Sequence, residues 1–214
     1  MNRLWAAPGS SEWGCHRGWV TSPTKAELRA ELLRARRKVT NEARERQATA
    51  LTAHLAEIAA PGRTVCAYVP VGSEPGSLAL LDELVTLGAR VLLPVAQHDD
   101  EDVPLPLLWG EYRPGNLVVA RHGLREPAPP WLPADAVGGA AVVLVPALAV
   151  DRTGVRLGRG AGFYDRSLRS ADPAALLVAV VRDEELVDRL PADPHDVRMT
   201  HALTPGRGVV PLGE

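Results

Sequence analysis

Val65-Cys-Ala-Tyr-Val69, Pro70-Val-Gly-Ser-Glu-Pro-Gly76, Ser77-Leu-Ala-Leu-Leu-Asp-Glu-Leu-Val-Thr-Leu-Gly88 and Arg90-Val-Leu-Leu-Pro-Val95 follow one another almost without a break. The first and last are continuous apolar runs of strand length, the pattern of strands covered on both faces. Between them Leu78, Leu81, Leu84, Val85 and Leu87 recur at helical spacing, with Ser77 as N-cap and Gly88 as the natural C-terminal stop. Strand, helix and strand make a βαβ unit, so the two strands are expected to run parallel. The expected fold class is α/β: a three-layer, Rossmann-like, mostly parallel sheet with helices on both faces. The loop Pro70–Gly76 leaves the carboxyl end of the first strand, where open α/β sheets bind their ligands.

Upstream, Ser22-Pro23 reads as a helix start, with Leu28, Leu32, Leu33 and Ala35 as its stripe through about Lys38. Thr40 caps a second helix to about Ile58. Arg29, Arg34, Arg36, Arg37 and Lys38 taken by themselves are a solvated basic face. Downstream, Gln97 to Pro133 is irregular and proline-rich, with Leu105–Trp109 and Asn116–Ala120 as short strands or a hairpin. Ala140–Val150 is a buried strand, Ala174–Val181 another, and Asp183–Leu190 a short helix. Pro191–Pro205 is extended, and the tail carries no signal. Met1–Thr21 holds three of the five tryptophans but no periodicity. It is expected to be a disordered extension ahead of a single domain over 22–214, with the true start near Val20; an intact mass of the natively expressed protein tests this.

Composition narrows the function classes. Hydrophobic residues make up 46% of the 214 and charged residues 23%, which is ordinary for a folded domain. A net charge of −2 and few aromatics argue against nucleic acid as a partner. No run of eighteen apolar residues points to a membrane. Cys15 and Cys66 build no disulfide framework, which fits a reducing cytoplasm. His54 and His195 lack zinc-motif spacing. A monomer is expected.

The chemistry concentrates in Arg156-Leu-Gly-Arg-Gly-Ala-Gly-Phe-Tyr-Asp-Arg166, between the strand ending at Val150 and a short helix, Tyr164–Ser170. Gly158, Gly160 and Gly162 let backbone N–H groups approach an anion, and the helix start adds partial positive charge. Arg156 and Arg159 offer planar forks to phosphate oxygens, and Asp165 a carboxylate to a metal. The loop is neither a P-loop nor a dinucleotide fingerprint, since it lacks Gly-Lys-Ser/Thr and has Phe at position 163. As isolated features the glycines are equally consistent with a surface turn, Glu74 with a helix cap, Glu126-Pro127 with a turn and Asp196 with a loop carboxylate.

Asp151-Arg-Thr-Gly-Val-Arg-Leu-Gly-Arg-Gly-Ala-Gly-Phe-Tyr-Asp-Arg166 resembles the signature of the 5-formyltetrahydrofolate cyclo-ligase (5,10-methenyltetrahydrofolate synthetase) family. Weaker matches stand in the family's order over about Thr24–Pro205: Lys25-Ala-Glu-Leu-Arg29, Tyr68–Ser77, Gly123-Leu-Arg-Glu-Pro127, Val145-Pro146 and His195-Asp196. The resemblance implies ATP- and Mg2+-dependent conversion of 5-formyltetrahydrofolate to 5,10-methenyltetrahydrofolate. It implies ATP contacts from Lys25, Arg29, Arg156, Gly158, Arg159, Gly160, Ala161, Gly162, Phe163 and Tyr164, with Arg159 and Arg156 on the transferring phosphate. It further implies magnesium at Asp165 and Asp196, and folate contacts from Glu74, Trp109, Glu126 and Tyr164. The chain departs from the family pattern at Gly76, Ala161, Phe163 and Thr200. Two rivals therefore stay open: an enzyme of similar fold, such as a sugar-phosphate isomerase or CoA transferase, and a non-catalytic nucleotide- or folate-binding paralogue.

Overall fold

The computed structural model describes residues 23–213; the expected N-terminal extension and the cap expected at Ser22 lie outside them. Helix α1 spans Lys25–Arg37. It is started by Thr24, whose hydroxyl accepts from the Glu27 N–H at 3.3 Å while the Glu27 carboxylate accepts from the Thr24 N–H at 2.8 Å. This reciprocal capping box sets the start two residues beyond Pro23. Helix α2, Asn41–Ala53, is capped by Thr40 as expected and runs on as a single 3-10 turn, Leu55–Glu57.

The βαβ unit forms as the pattern dictates. Strand β1 (Thr64–Cys66), helix α3 (Leu78–Thr86, capped by Ser77) and β2 (Arg90–Val95) follow in order, and β1 and β2 pair parallel with Val65 opposite Val91. Next come β3 (Leu108–Glu111), β4 (Leu117–Val119), β5 (Arg125–Pro127), β6 (Val142–Pro146), β7 (Ala149–Asp151), β8 (Arg156–Leu157), helix α4 (Phe163–Ser167), β9 (Leu176–Val180), β10 (Leu186–Val187), β11 (His201–Thr204) and β12 (Gly208–Pro211). The central sheet has the order β12-β11-β9-β6-β1-β2-β3. Its middle is parallel, and only the two edge pairings, β11–β12 and β2–β3, are antiparallel.

Alternation along these strands feeds two separate cores. Val65, Val91, Leu93, Val142, Leu144, Val178 and Leu203 face α2 and α3, where they meet Leu51, Leu81 and Leu84. Cys66, Leu92, Val143, Val145, Ala179 and Ala202 face the other way, toward Val137, Leu168 and the half-buried Phe163 and Tyr164. Burial pushes the Cys66 thiol up to about 12, leaving an inert core residue. The layer on this second face is thin, made of short helical turns rather than long helices.

Three expectations change. The apolar run Ala140–Val150 is not one strand: β6 ends at Pro146, which has no N–H for the ladder, and β7 leaves to join β10 and β8 in a separate three-stranded sheet. Asp183–Leu190 is not a helix but a 3-10 turn followed by β10, whose Leu186 pairs with Val150. The tail expected to carry no signal supplies β12, which pairs with β11 at the end of the expected extended stretch to form a hairpin at the sheet edge. Among the described residues no helix is long and apolar enough to cross a membrane.

Candidate active site

The strand order changes direction between β1 and β6, and a cleft of about 690 Å³ opens at the carboxyl ends of β1, β2 and β6. Tyr68, Val71 and Glu74 enter it from the loop after β1, Pro94 and Ala96 from the end of β2, and Ala147 from the end of β6. The glycine loop forms one wall and α1 lies beside it.

Local chemistry explains how the glycine loop is held. Asp151, fully buried, accepts through Oδ1 from the N–H and hydroxyl of Thr153 and the N–H of Val155, and through Oδ2 from the N–H of Leu190. That carboxylate closes the β7–β8 turn and joins its base to the chain before Asp193. Strand β8 then delivers Arg156 to the cleft, where it is only 8% exposed. Its Nη2 donates to Asp165 Oδ1 at 2.7 Å, and its guanidinium lies 5.9 Å from the Tyr164 ring centroid. Gly160 and Gly162 take φ values of 107° and 76°, conformations that side chains rarely adopt, so the loop backbone stays bare toward the cleft. Helix α4 has only five residues, so its dipole adds little and the arginines dominate the local field.

Most of the residues singled out from the sequence meet here: Lys25, Arg29, Glu74, Glu126, Arg156, Arg159, Asp165 and Asp196, with Gly158–Tyr164 between them. Arg29 Nε donates to the Gly158 carbonyl at 2.9 Å, fastening α1 to the loop. Arg159 reaches across the cleft, with its Nε 3.0 Å from Glu74 Oε1 and its Nη2 donating to the Val71 carbonyl. Glu126 Oε1 accepts from the Ala96 N–H at 2.9 Å. Phe163 packs edge-on against His98 with centroids 5.3 Å apart. Burial pushes the Tyr164 hydroxyl far above its ordinary range, so it is a donor at any physiological pH.

Trp109 is the exception. It is fully buried in the core beneath the thin layer, paired to Leu132 rather than facing the cleft, and its indole N–H has no partner among the described residues. Period-2 alternation explains this: opposite Pro94 in the ladder, Trp109 points into the same face as Leu92. It is a packing residue, not a stacking platform. Trp109→Phe is expected to change the thermal midpoint while leaving the affinity of cleft ligands unaltered, as a titration beside an unfolding curve would show. Gly76 also gains a reason. Its φ is 107° and a Cβ there would lie 3.2 Å from Pro70 Cγ, so a side chain on this loop path would be strained.

The carboxylates are arranged differently from the expected pair. Asp196 clusters with Asp193 and His195, and the cluster does not include Asp165, which is engaged by Arg156. Asp193 was missed, although a second aspartate three residues before Asp196 was a readable signal. Lys25 Nζ donates to both aspartates at 2.7 Å. Burial works against the Lys25 charge, but the two carboxylates outweigh it and raise its pKa. For Asp196 burial raises the pKa, but the Asp193 N–H and Lys25 outweigh it and hold the carboxyl below its ordinary value. A depressed carboxylate contributes stability above its unfolded value and loses it as pH falls through the folded one. This tie between α1 and the 193–196 segment should therefore be intact from about pH 5 upward and weaken below about pH 4. The thermal midpoints of wild type and Asp196→Asn should converge on acidification.

The donor types suit two kinds of anion-linked chemistry. Bare glycine backbone with Arg156, Arg159, Lys25 and Arg29 fits a polyphosphate. Asp193 and Asp196 are hard oxygen donors suited to Mg2+, in competition with the Lys25 ammonium.

Comparison with known proteins agrees with this architecture. The sequence model of the 5-formyltetrahydrofolate cyclo-ligase family matches residues 21–205. A 5-formyltetrahydrofolate cyclo-ligase of Mycolicibacterium smegmatis is 64% identical over 189 residues, covering 88% of this chain and 97% of that one. The protein of that name from Escherichia coli is 30% identical over 146 residues, covering 67% and 79%. The solution structure of an Aquifex aeolicus 5,10-methenyltetrahydrofolate synthetase superposes with a TM-score of 0.72 at 26% identity, covering 89% of this chain and 93% of that one.

Proposed function

The chain belongs to the 5-formyltetrahydrofolate cyclo-ligase family, and from that premise we propose that it cyclises 5-formyltetrahydrofolate to 5,10-methenyltetrahydrofolate at the expense of Mg-ATP. The observation that carries the ATP requirement is the bare glycine loop set between Arg156, Arg159 and the α1 cations at one cleft wall. A rival of similar fold would need a carboxylate base or nucleophile but no triphosphate cradle. We read it as a monomer acting on small molecules, with a charge balance that favours neither a nucleic acid partner nor a membrane one.

The chemical difficulty is that a formamide oxygen leaves poorly. Transfer of the γ-phosphoryl group to the formyl oxygen forms an O–P bond, and ADP departs. N10 then attacks the formyl carbon, the C–O bond breaks, inorganic phosphate leaves, and N10 loses its proton. No covalent protein nucleophile is needed. Arg159 and Arg156 balance charge on the phosphoryl oxygens, and Gly158, Gly160 and Gly162 supply backbone N–H donors. Lys25 and Arg29 hold the polyphosphate from α1. Asp196 with Asp193 would hold magnesium, with Asp165 a further carboxylate on the facing wall; when bound, the metal neutralises phosphate charge. Glu74 and Glu126 accept N–H bonds from the pterin, and Tyr164 donates from its protonated hydroxyl.

The test is direct. Protein mixed with 5-formyltetrahydrofolate, ATP and Mg2+ should develop the near-ultraviolet absorbance of the methenyl product, and omission of ATP or of magnesium should abolish it. A product signal without ATP would overturn the phosphorylation route. ATP binding without any product would favour the non-catalytic paralogue. We place the enzyme in the cytoplasm, since a sequence with two cysteines builds no disulfide framework.

A further inference from the structure

Arg36 was expected on a solvated face, yet it is 1% exposed and lines the cleft floor. Its Nε and Nη2 donate to the two oxygens of Glu185 at 2.7 Å each, and Nη2 also donates to the Ala147 carbonyl. Glu185 is shared with Arg182, itself 1% exposed, whose Nη1 lies 3.2 Å from Glu185 Oε1. Two guanidinium groups thus share one carboxylate. Arg182 is fully engaged, since Nε donates to Gln47 and Nη2 to the Ser73 carbonyl. Arg36 is not: its Nη1 is buried and has no partner among the described residues.

Buried donors in folded proteins nearly always find an acceptor. Here the charge count adds a second reason, because two cations against one anion leave a positive charge under the cleft. Placement adds a third. Lys25, Arg29 and Arg36 sit four and seven residues apart on α1, which puts all three on one helical stripe. Arg36 lies about 10 Å along the axis beyond Arg29, at the inner end of the line facing the ends of β1 and β6.

We infer that Arg36 is a ligand-binding residue, whose free Nη1 donates to a negatively charged or negatively polarised oxygen of the substrate seated on the cleft floor. This rests on the nucleotide-and-folate reading of the cleft. Two sources offer such an oxygen: a phosphate of ATP, or the formyl or carboxylate oxygen of 5-formyltetrahydrofolate. The bidentate hold of Glu185 fixes the guanidinium in advance, so only the neighbours that bury Nη1 have to shift for a ligand oxygen to reach it.

The experiment compares wild type with Arg36→Lys, which keeps the charge but not the fork. Dissociation constants are measured separately for a non-hydrolysable ATP analogue with Mg2+ and for 5-formyltetrahydrofolate, well below both thermal midpoints. Wild type binding both ligands secures the underlying reading independently of the variant. The expected result is a loss of about 10- to 100-fold for one ligand and little change for the other. Loss for the nucleotide identifies a phosphate oxygen, and loss for the folate identifies a formyl or carboxylate oxygen. Equal affinities in wild type and variant would overturn the inference and leave Nη1 to a buried water. Should Arg36→Lys fail to fold, guanidinium NMR of wild type decides. Slowed exchange and a shift of the Arg36 Nη protons on adding one ligand support the contact, and unchanged signals with both ligands refute it.

Discussion

Arg159→Ala is expected to lower kcat/KM by about 100- to 1000-fold while leaving the fold essentially intact. The separation follows from how the side chain is held. It is 46% exposed, and its partners are Glu74 and the Val71 carbonyl on the opposite wall. A partly exposed pair of this kind contributes about 0–1 kcal/mol, so its loss should move the thermal midpoint little. The same guanidinium spans the space between the glycine loop and the Pro70–Gly76 loop, where the proposed phosphoryl transfer would develop charge. Stabilisation there acts on the transition state, which an alanine cannot supply. Arg159→Lys should recover only part of the rate, because a point charge replaces a planar fork. Steady-state kinetics and an unfolding curve on one preparation check this; unchanged turnover would remove Arg159 from the chemistry.

What was legible in the sequence was what neighbours in the chain decide. The βαβ unit could be read because period, cap and stop all lie within Val65–Val95, and each appears at or near its expected residue. The form of the glycine loop could be read because three glycines and three arginines fall within eleven residues, and Gly160 and Gly162 take the positive φ that only glycine adopts freely. The break at Pro146 was less visible, since the apolar run continues straight through it and only the ladder shows that β7 belongs elsewhere.

The failures share a cause. Arg36 looked solvated because four basic neighbours surround it, and the carboxylate that buries it lies 149 residues away. Trp109 was expected on the folate side because the resemblance implies it and an indole can stack on a flat ring. Its burial depends on pairing with Leu132 and on the register against Pro94, neither of which a local pattern encodes. Asp165 and Asp196 do line one cleft, but each pairs there with a different cation, Arg156 and Lys25, partners that the spacing does not encode. In each case side-chain type was informative about chemistry and uninformative about the partner.

That distinction is sharpest at Glu185, whose replacement by alanine is expected to cost about 3–5 kcal/mol and lower the thermal midpoint by roughly 10 °C or more. The residue sits in a short 3-10 turn with no mark of importance in its surroundings. It nonetheless accepts from both Arg36 and Arg182 and, through Oε2, from the Arg182 N–H at 2.8 Å. Removing it leaves two buried guanidinium groups without their anion. Breaking such a network is costlier than never having built it. A triple variant, Arg36→Met with Glu185→Leu and Arg182→Met, should therefore recover much of the stability lost by Glu185→Ala. It should not recover activity, because the anchors joining α1 to the Ala147 carbonyl and the Ser73 loop to the core are gone. Chemical denaturation and the methenyl absorbance assay separate the two effects. A stable triple variant with wild-type turnover would mean that the network serves packing alone.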